Sequence, residues 1–179
     1  LAVSVWFKTT TASGVLAGVT ALLPGQSPTC YGSICYNNVI EPLLWIGSNG
    51  DLEGVDTVST VDFVTSVAKA FSSPGPVDNG AWHQAVLIPG QALYLDGTKV
   101  ASDTASTSPS GTYALLGAGE MPYNCSGCPY GDDQFSYFNG SLADLSISHN
   151  QLPSSGTVAA QYAAETRPAA ELTSVTSPA

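Results

Sequence analysis

Asp51 and Glu53 are the first residues in this chain whose type and spacing suit chemistry. Side chains two apart on a strand share a face, and two carboxyls about 5 Å apart can divide acid and nucleophile roles at a glycosidic bond. The pair follows Asn49-Gly50 directly, which places it on a hairpin shoulder, and no Glu-x-Asp-x-Glu run occurs. A serine hydrolase needs a base beside its nucleophile. Only His83 and His149 are available, and no Gly-x-Ser-x-Gly elbow presents a serine. The expectation is a non-catalytic chain.

The cysteines come as two close pairs, Cys30 with Cys35 and Cys125 with Cys128. An even count fits disulfides in an oxidising compartment, and four cysteines allow three connectivities, within each loop or between the two. A tetrahedral four-thiolate zinc site is the other reading of this spacing. Redox work of the thioredoxin kind is disfavoured, because Cys125 does not sit between a strand and a helix.

Around the cysteines gather Tyr31, Tyr36, Tyr123, Tyr130, Phe135 and Tyr137, rings outside the regular strand patterns. A flat ring with a polar tip suits the apolar face and rim hydroxyls of a sugar. Gly131-Asp132-Asp133-Gln134 adds adjacent carboxylates in the same stretch, and oxygen clusters of this kind suit calcium. Trp6, Trp45 and Trp82 fall in strand patterns and read as structural.

These residues need a scaffold. The chain has 179 residues, enough for one sandwich with its own core, and a net charge of −10 from 4 basic against 14 acidic side chains. That charge repels phosphate backbones and anionic membranes, so nucleic acid is excluded as a partner. No apolar run approaches the roughly 20 residues that span a bilayer, so no membrane insertion is expected. Leu1 stands where Met would open a chain, which predicts a piece of a longer protein.

Strand patterns recur at short spacing over 4–9, 14–20, 42–46, 51–55, 58–67, 82–88, 92–95, 113–117 and 142–148, with Gly, Pro, Ser and Asn between them. In the first, Val3, Val5 and Phe7 alternate with Ser4, Trp6 and Lys8. Asp96-Gly97 after Leu93-Tyr94-Leu95 marks a tight hairpin, since both positions tolerate positive φ. A single short helix is predicted over 154–165, capped by Ser154 or Ser155. The fold class is therefore all-β, a two-sheet antiparallel sandwich closed by that helix, and residues 166–179 read as a linker to a following module. Two stretches, 23–39 and 120–137, exceed what the strands need and hold all four cysteines. Long loops on a rigid scaffold are where binding residues concentrate.

Asn79-Gly80-Ala81-Trp82-His83 followed by Leu93-Tyr94-Leu95-Asp96-Gly97 resembles the signature of laminin G-like domains, the concanavalin A-like jelly rolls. The similarity continues in family order through Ser4–Thr9, Gly14–Gly18, Pro42–Leu52, Tyr113–Gly119 and Phe138–Ile147, and covers about residues 4 to 165. It implies a jelly roll over 1–165, with His83 as a packing histidine and Asp144 at the acidic position of the last strand, a third candidate calcium ligand. Ala170–Thr176 is similar to tails that lead into tyrosine-aspartate repeats of the Rhs type in large bacterial surface proteins.

Together these readings predict an extracellular recognition module. It would bind carbohydrate or mediate cell adhesion through loops 23–39 and 120–137, with calcium as the possible cofactor. Its partners would be a glycan or cell-surface protein and neighbouring domains of the parent chain. The alternative is a structural or protein–protein interaction domain within a large secreted protein.

Overall fold

A computed structural model describes residues 1–20, 29–31, 34–36, 40–61, 64–104, 113–120, 135–149 and 151–165. The strands in chain order are β1 (Ala2–Lys8), β2 (Gly14–Thr20), β3 (Thr29–Tyr31), β4 (Ile34–Tyr36), β5 (Ile40–Ile46), β6 (Asp51–Val61) and β7 (Val64–Pro76). After these come β8 (Trp82–Ile88), β9 (Ala92–Leu95), β10 (Thr98–Ser102), β11 (Tyr113–Leu116), β12 (Ala118–Glu120), β13 (Phe135–Tyr137) and β14 (Ser141–Ser148), then one helix, α1 (Ser155–Glu165). Two five-stranded sheets run β10-β9-β8-β1-β14 and β11-β2-β5-β6-β7, and β12-β13 and β3-β4 form two small ribbons. Every described strand pairing is antiparallel. The chain is an all-β sandwich with one short helix.

The alternation in β1 carries through to packing. Val3, Val5 and Phe7 are fully buried in a core they share with Leu87 and Leu93 of their own sheet and Leu44, Ile46 and Leu52 of the facing one. Each such side chain contributes about 1.5–3 kcal/mol by leaving water. Gly54 in β6 shows how closely the layers meet: a Cβ there would lie 2.8 Å from Leu87 Cδ1. Trp45, opposite Val15 and Glu53 on the other face of β5, is only 2% exposed. It is a core residue, as its mid-strand position predicts, whereas Trp82 at the start of β8 is 45% exposed. Trp82 pairs with Lys8 at the end of β1, so it sits at a sheet rim.

Sequence pattern and structure differ where the chain reverses. The single strand predicted over 58–67 is a hairpin, in which Val58 pairs with Val67 and Val61 with Val64. The sequence between Val61 and Val64 carries neither Gly nor Pro, and a single Asp there is a weak turn signal. The Asp96-Gly97 turn forms as predicted, with φ of 50° and 74° at its two positions. Strand β10 beyond it pairs back on β9.

The helix lies on the outer face of the first sheet. Ser154 Oγ accepts a hydrogen bond from Thr157 N at 3.1 Å, the N-cap the sequence anticipates. Val158 is fully buried with Ala2, Val86, Ile88, Ala92 and Tyr94. Tyr162 stacks on Trp6 with centroids 5.6 Å apart and an angle of 11° between rings. Close packing fixes Gly97, where a Cβ would come within 2.9 Å of Tyr162 Cβ.

Candidate functional site

The stretch 23–39 is not plain loop. It contains the β3-β4 ribbon, in which Thr29 pairs with Tyr36, Cys30 with Cys35 and Tyr31 with Ile34. Residues directly opposite in an antiparallel pair have Cα atoms about 4.5 or 5.5 Å apart, and both distances fall within the range a disulfide spans. Tyr31 and Tyr36 belong to the register positions that alternate with the cysteine pair. The side chains of Tyr31, Tyr36, Cys30 and Cys35 lie outside the described ones. So do that of Phe135 and the whole of Tyr123, Tyr130, Asp132, Asp133, Cys125 and Cys128.

The second stretch begins and ends in paired strand. Glu120 stands opposite Phe135 and Ala118 opposite Tyr137, so the β12-β13 ribbon anchors both ends of 121–134. A backbone bond from Phe138 N to Gly117 O at 2.9 Å, and another from Gly117 N to Leu16 O at 2.9 Å, tie that ribbon to β2. Tyr137 is 72% exposed, the most exposed large ring or aliphatic side chain among the described residues. Leu116, one residue before Gly117, is exposed as well.

Asp144 sits in β14 with φ of 50°, in the left-handed region. Ser4 pairs with Ser146 and Trp6 with Ala143, so Asp144 and Leu145 together face Val5, a bulge with two residues against one. Its side chain is exposed. Among the described residues no three His, Cys, Asp or Glu side chains converge in a way that would hold a metal ion.

The other residues singled out for chemistry have local partners. Asp51 begins β6 directly after the Asn49-Gly50 turn, and Asn49 Nδ2 donates to Asp51 Oδ2 at 2.7 Å. Trp45 Nε1 donates to Glu53 Oε2 at 2.6 Å. Burial pushes the Glu53 carboxyl above its ordinary range; the Trp45 bond opposes that shift and the nearby Asp51 charge adds to it. His83 Nδ1 lies 2.8 Å from Asp96 Oδ2 and Nε2 lies 3.1 Å from Asn79 Oδ1. Asp96 Oδ1 also accepts from Gln84 N at 2.9 Å, and the His83 ring lies 5.6 Å from that of Phe7. His83 is thus held at both ring nitrogens at the turn of the β9-β10 hairpin. His149 is exposed at the end of β14.

One cluster has no counterpart in the sequence pattern. The Glu165 carboxylate at the end of α1 accepts from Trp6 Nε1 of β1 and, at 3.2 Å, from Gln84 Nε2 of β8. These residues lie 81 and 159 positions apart, so spacing carries no sign of their meeting. The only local hint is Gln84 itself, an amide between His83 and a run of apolar residues.

No protein-family model matches this chain, and no curated protein matches it. Among the described residues no helix is long and apolar enough to cross a membrane.

Proposed function

We propose that this chain is a non-catalytic, extracellular recognition module of the laminin G-like, jelly-roll kind, which binds carbohydrate through its two long cysteine-bearing stretches. The observation that carries this reading is Tyr137, 72% exposed on a ribbon hydrogen-bonded to the sandwich. A largely exposed ring on paired backbone loses little freedom on binding, and the flat face of a tyrosine suits a pyranose. The β3-β4 ribbon supports the same reading for 23–39, since it offers Tyr31 and Tyr36 on paired backbone rather than on free chain. Calcium held by Asp132, Asp133 and Asp144 would complete the site.

A second reading rests on the exposed aliphatic residues Leu116, Leu145 and Ile147 on β11 and β14. These are the outer strands of the two sheets. Apolar side chains at such edges favour docking on a neighbouring domain of the same secreted protein.

A glycan array with calcium present separates the two. Saturable binding that is lost when Tyr137, Tyr31, Tyr36 and Tyr130 become alanine supports carbohydrate recognition, and loss with EDTA supports calcium. Silence across chemically diverse glycans, with association lost on Leu145→Ser and Ile147→Ser, supports the docking domain.

A further inference from the structure

Between α1 and the outer face of the first sheet runs a groove of about 390 Å³. It shares no lining residue with either cysteine-bearing stretch, and of the groups the carbohydrate reading uses only Asp144 lines it, so Gln84 and Glu165 distinguish a ligand held here from that site. Ala2, Val86, Leu152 and Pro153 line it near the start of the helix, and Gln84, Asp144 and Glu165 line it further along, with serine hydroxyls between. An eleven-residue helix is about 16 Å long, so these groups lie along a slot rather than around a point.

Gln84 is 2% exposed, and its Oε1 is buried without a hydrogen-bond partner. The amide orientation is set, because Nε2 donates to Glu165. A buried carbonyl left in this state favours an incoming donor. Among the described residues Glu165 meets neutral donors, the Trp6 and Gln84 N–H groups. Among the described residues the lining contains two carboxylates, Asp144 and Glu165, and no Lys, Arg or His.

Three classes of ligand can be compared. An anion finds no cation in the lining. A sugar finds no free aromatic face there, because the Trp6 and Tyr162 rings cover each other. A hard metal ion prefers six or more oxygen ligands, and the described residues bring together no group of three acidic or imidazole side chains. A primary ammonium ion suits what remains: its N–H donors match Gln84 Oε1 and the carboxylates, and an alkyl stem matches Ala2, Val86 and Leu152. We propose that this groove binds a primary alkylammonium group, with Gln84 and Glu165 as its acceptors. Glu165 ends α1, and last turns fray, so a small shift of that turn admits the donor to Gln84.

The test uses the whole chain at physiological salt, which screens the general attraction of cations to a −10 protein. The probe is n-hexylamine; 1-hexanol controls for the alkyl stem, and hexyltrimethylammonium for charge without N–H donors. The readout is the Trp6 indole and Gln84 amide resonances in proton–nitrogen spectra. Saturable shifts with hexylamine are expected, with at least about tenfold weaker binding for both controls and for the folded variants Glu165→Gln and Gln84→Leu. If Gln84→Leu does not fold, Glu165→Gln alone decides. Equal binding of either control, no saturable shift with hexylamine, or undiminished binding by the variants overturns the proposal.

Discussion

Replacing Gly54 by alanine adds one methyl group where the two sheets meet, and its cost can be worked from the structure. The new Cβ would lie 2.8 Å from Leu87 Cδ1, 3.4 Å from Leu93 Cδ1 and 3.5 Å from Leu44 Cδ2. Carbon atoms attract best at about 3.5–4.0 Å, so the approach to Leu87 is short by roughly 1 Å. Leu87 and Leu93 are fully buried, which leaves neither a route into solvent. Alanine would restrict the unfolded chain and so stabilise by about 0.4–1 kcal/mol, while overpacking costs about 1–3 kcal/mol. With both leucines unable to move aside, overpacking falls in the upper half of that range, about 2–3 kcal/mol. The net loss is about 1–2.6 kcal/mol, or a fall in Tm of about 2–10 °C for a chain of this size. Thermal and urea unfolding measure it. Combining Gly54→Ala with Leu87→Val, which makes room, is expected to recover at least about 0.5 kcal/mol relative to the sum of the single changes. An unchanged or higher Tm for Gly54→Ala, or strict additivity in the double variant, would refute the close approach of β6 and β8.

Other perturbations test other parts of the molecule. Gly97→Ala sets a side chain at φ of 74° and against Tyr162, so it is expected to cost about 1–3 kcal/mol and to change Trp6 fluorescence as α1 shifts; unchanged emission counts against that packing. Burial raises the Glu53 pKa above its unfolded value, so Glu53 favours folding only while protonated, and that contribution is lost as pH rises through the folded pKa. Glu53→Gln, neutral throughout, is therefore expected to gain stability over the parent at neutral pH, with the difference shrinking in acid; a larger advantage in acid contradicts this. The Cys30–Cys35 register predicts a bridge within 23–39, and peptide mapping without reduction should recover it; a Cys30–Cys125 link would show a between-loop connection.

Much of this architecture was legible because local pattern and global packing agree. Val3, Val5 and Phe7 alternate in β1 and all face the core, Asp96-Gly97 turns where its tolerance of positive φ predicts, and Ser154 caps α1. Where local signals were weak, the reading failed. The β6-β7 hairpin carries neither Gly nor Pro between Val61 and Val64, and the three-residue strands β3, β4, β12 and β13 are too short to show a period. Trp82 has the look of a core residue, and only its position opposite Lys8 at the end of the sheet exposes it.

The sequence by itself determined a β-rich chain, its acidity, the strands with clear alternation and the one capped helix, because these depend on neighbours a few positions away. Tertiary structure alone decided which strands stand side by side, that Trp45 and Glu53 share a hydrogen bond, and that Trp6, Gln84 and Glu165 meet beneath α1. The physical reason is that sheet order and helix docking bring together groups up to 159 residues apart, and their cohesion comes from burial and hydrogen bonds that no local spacing encodes.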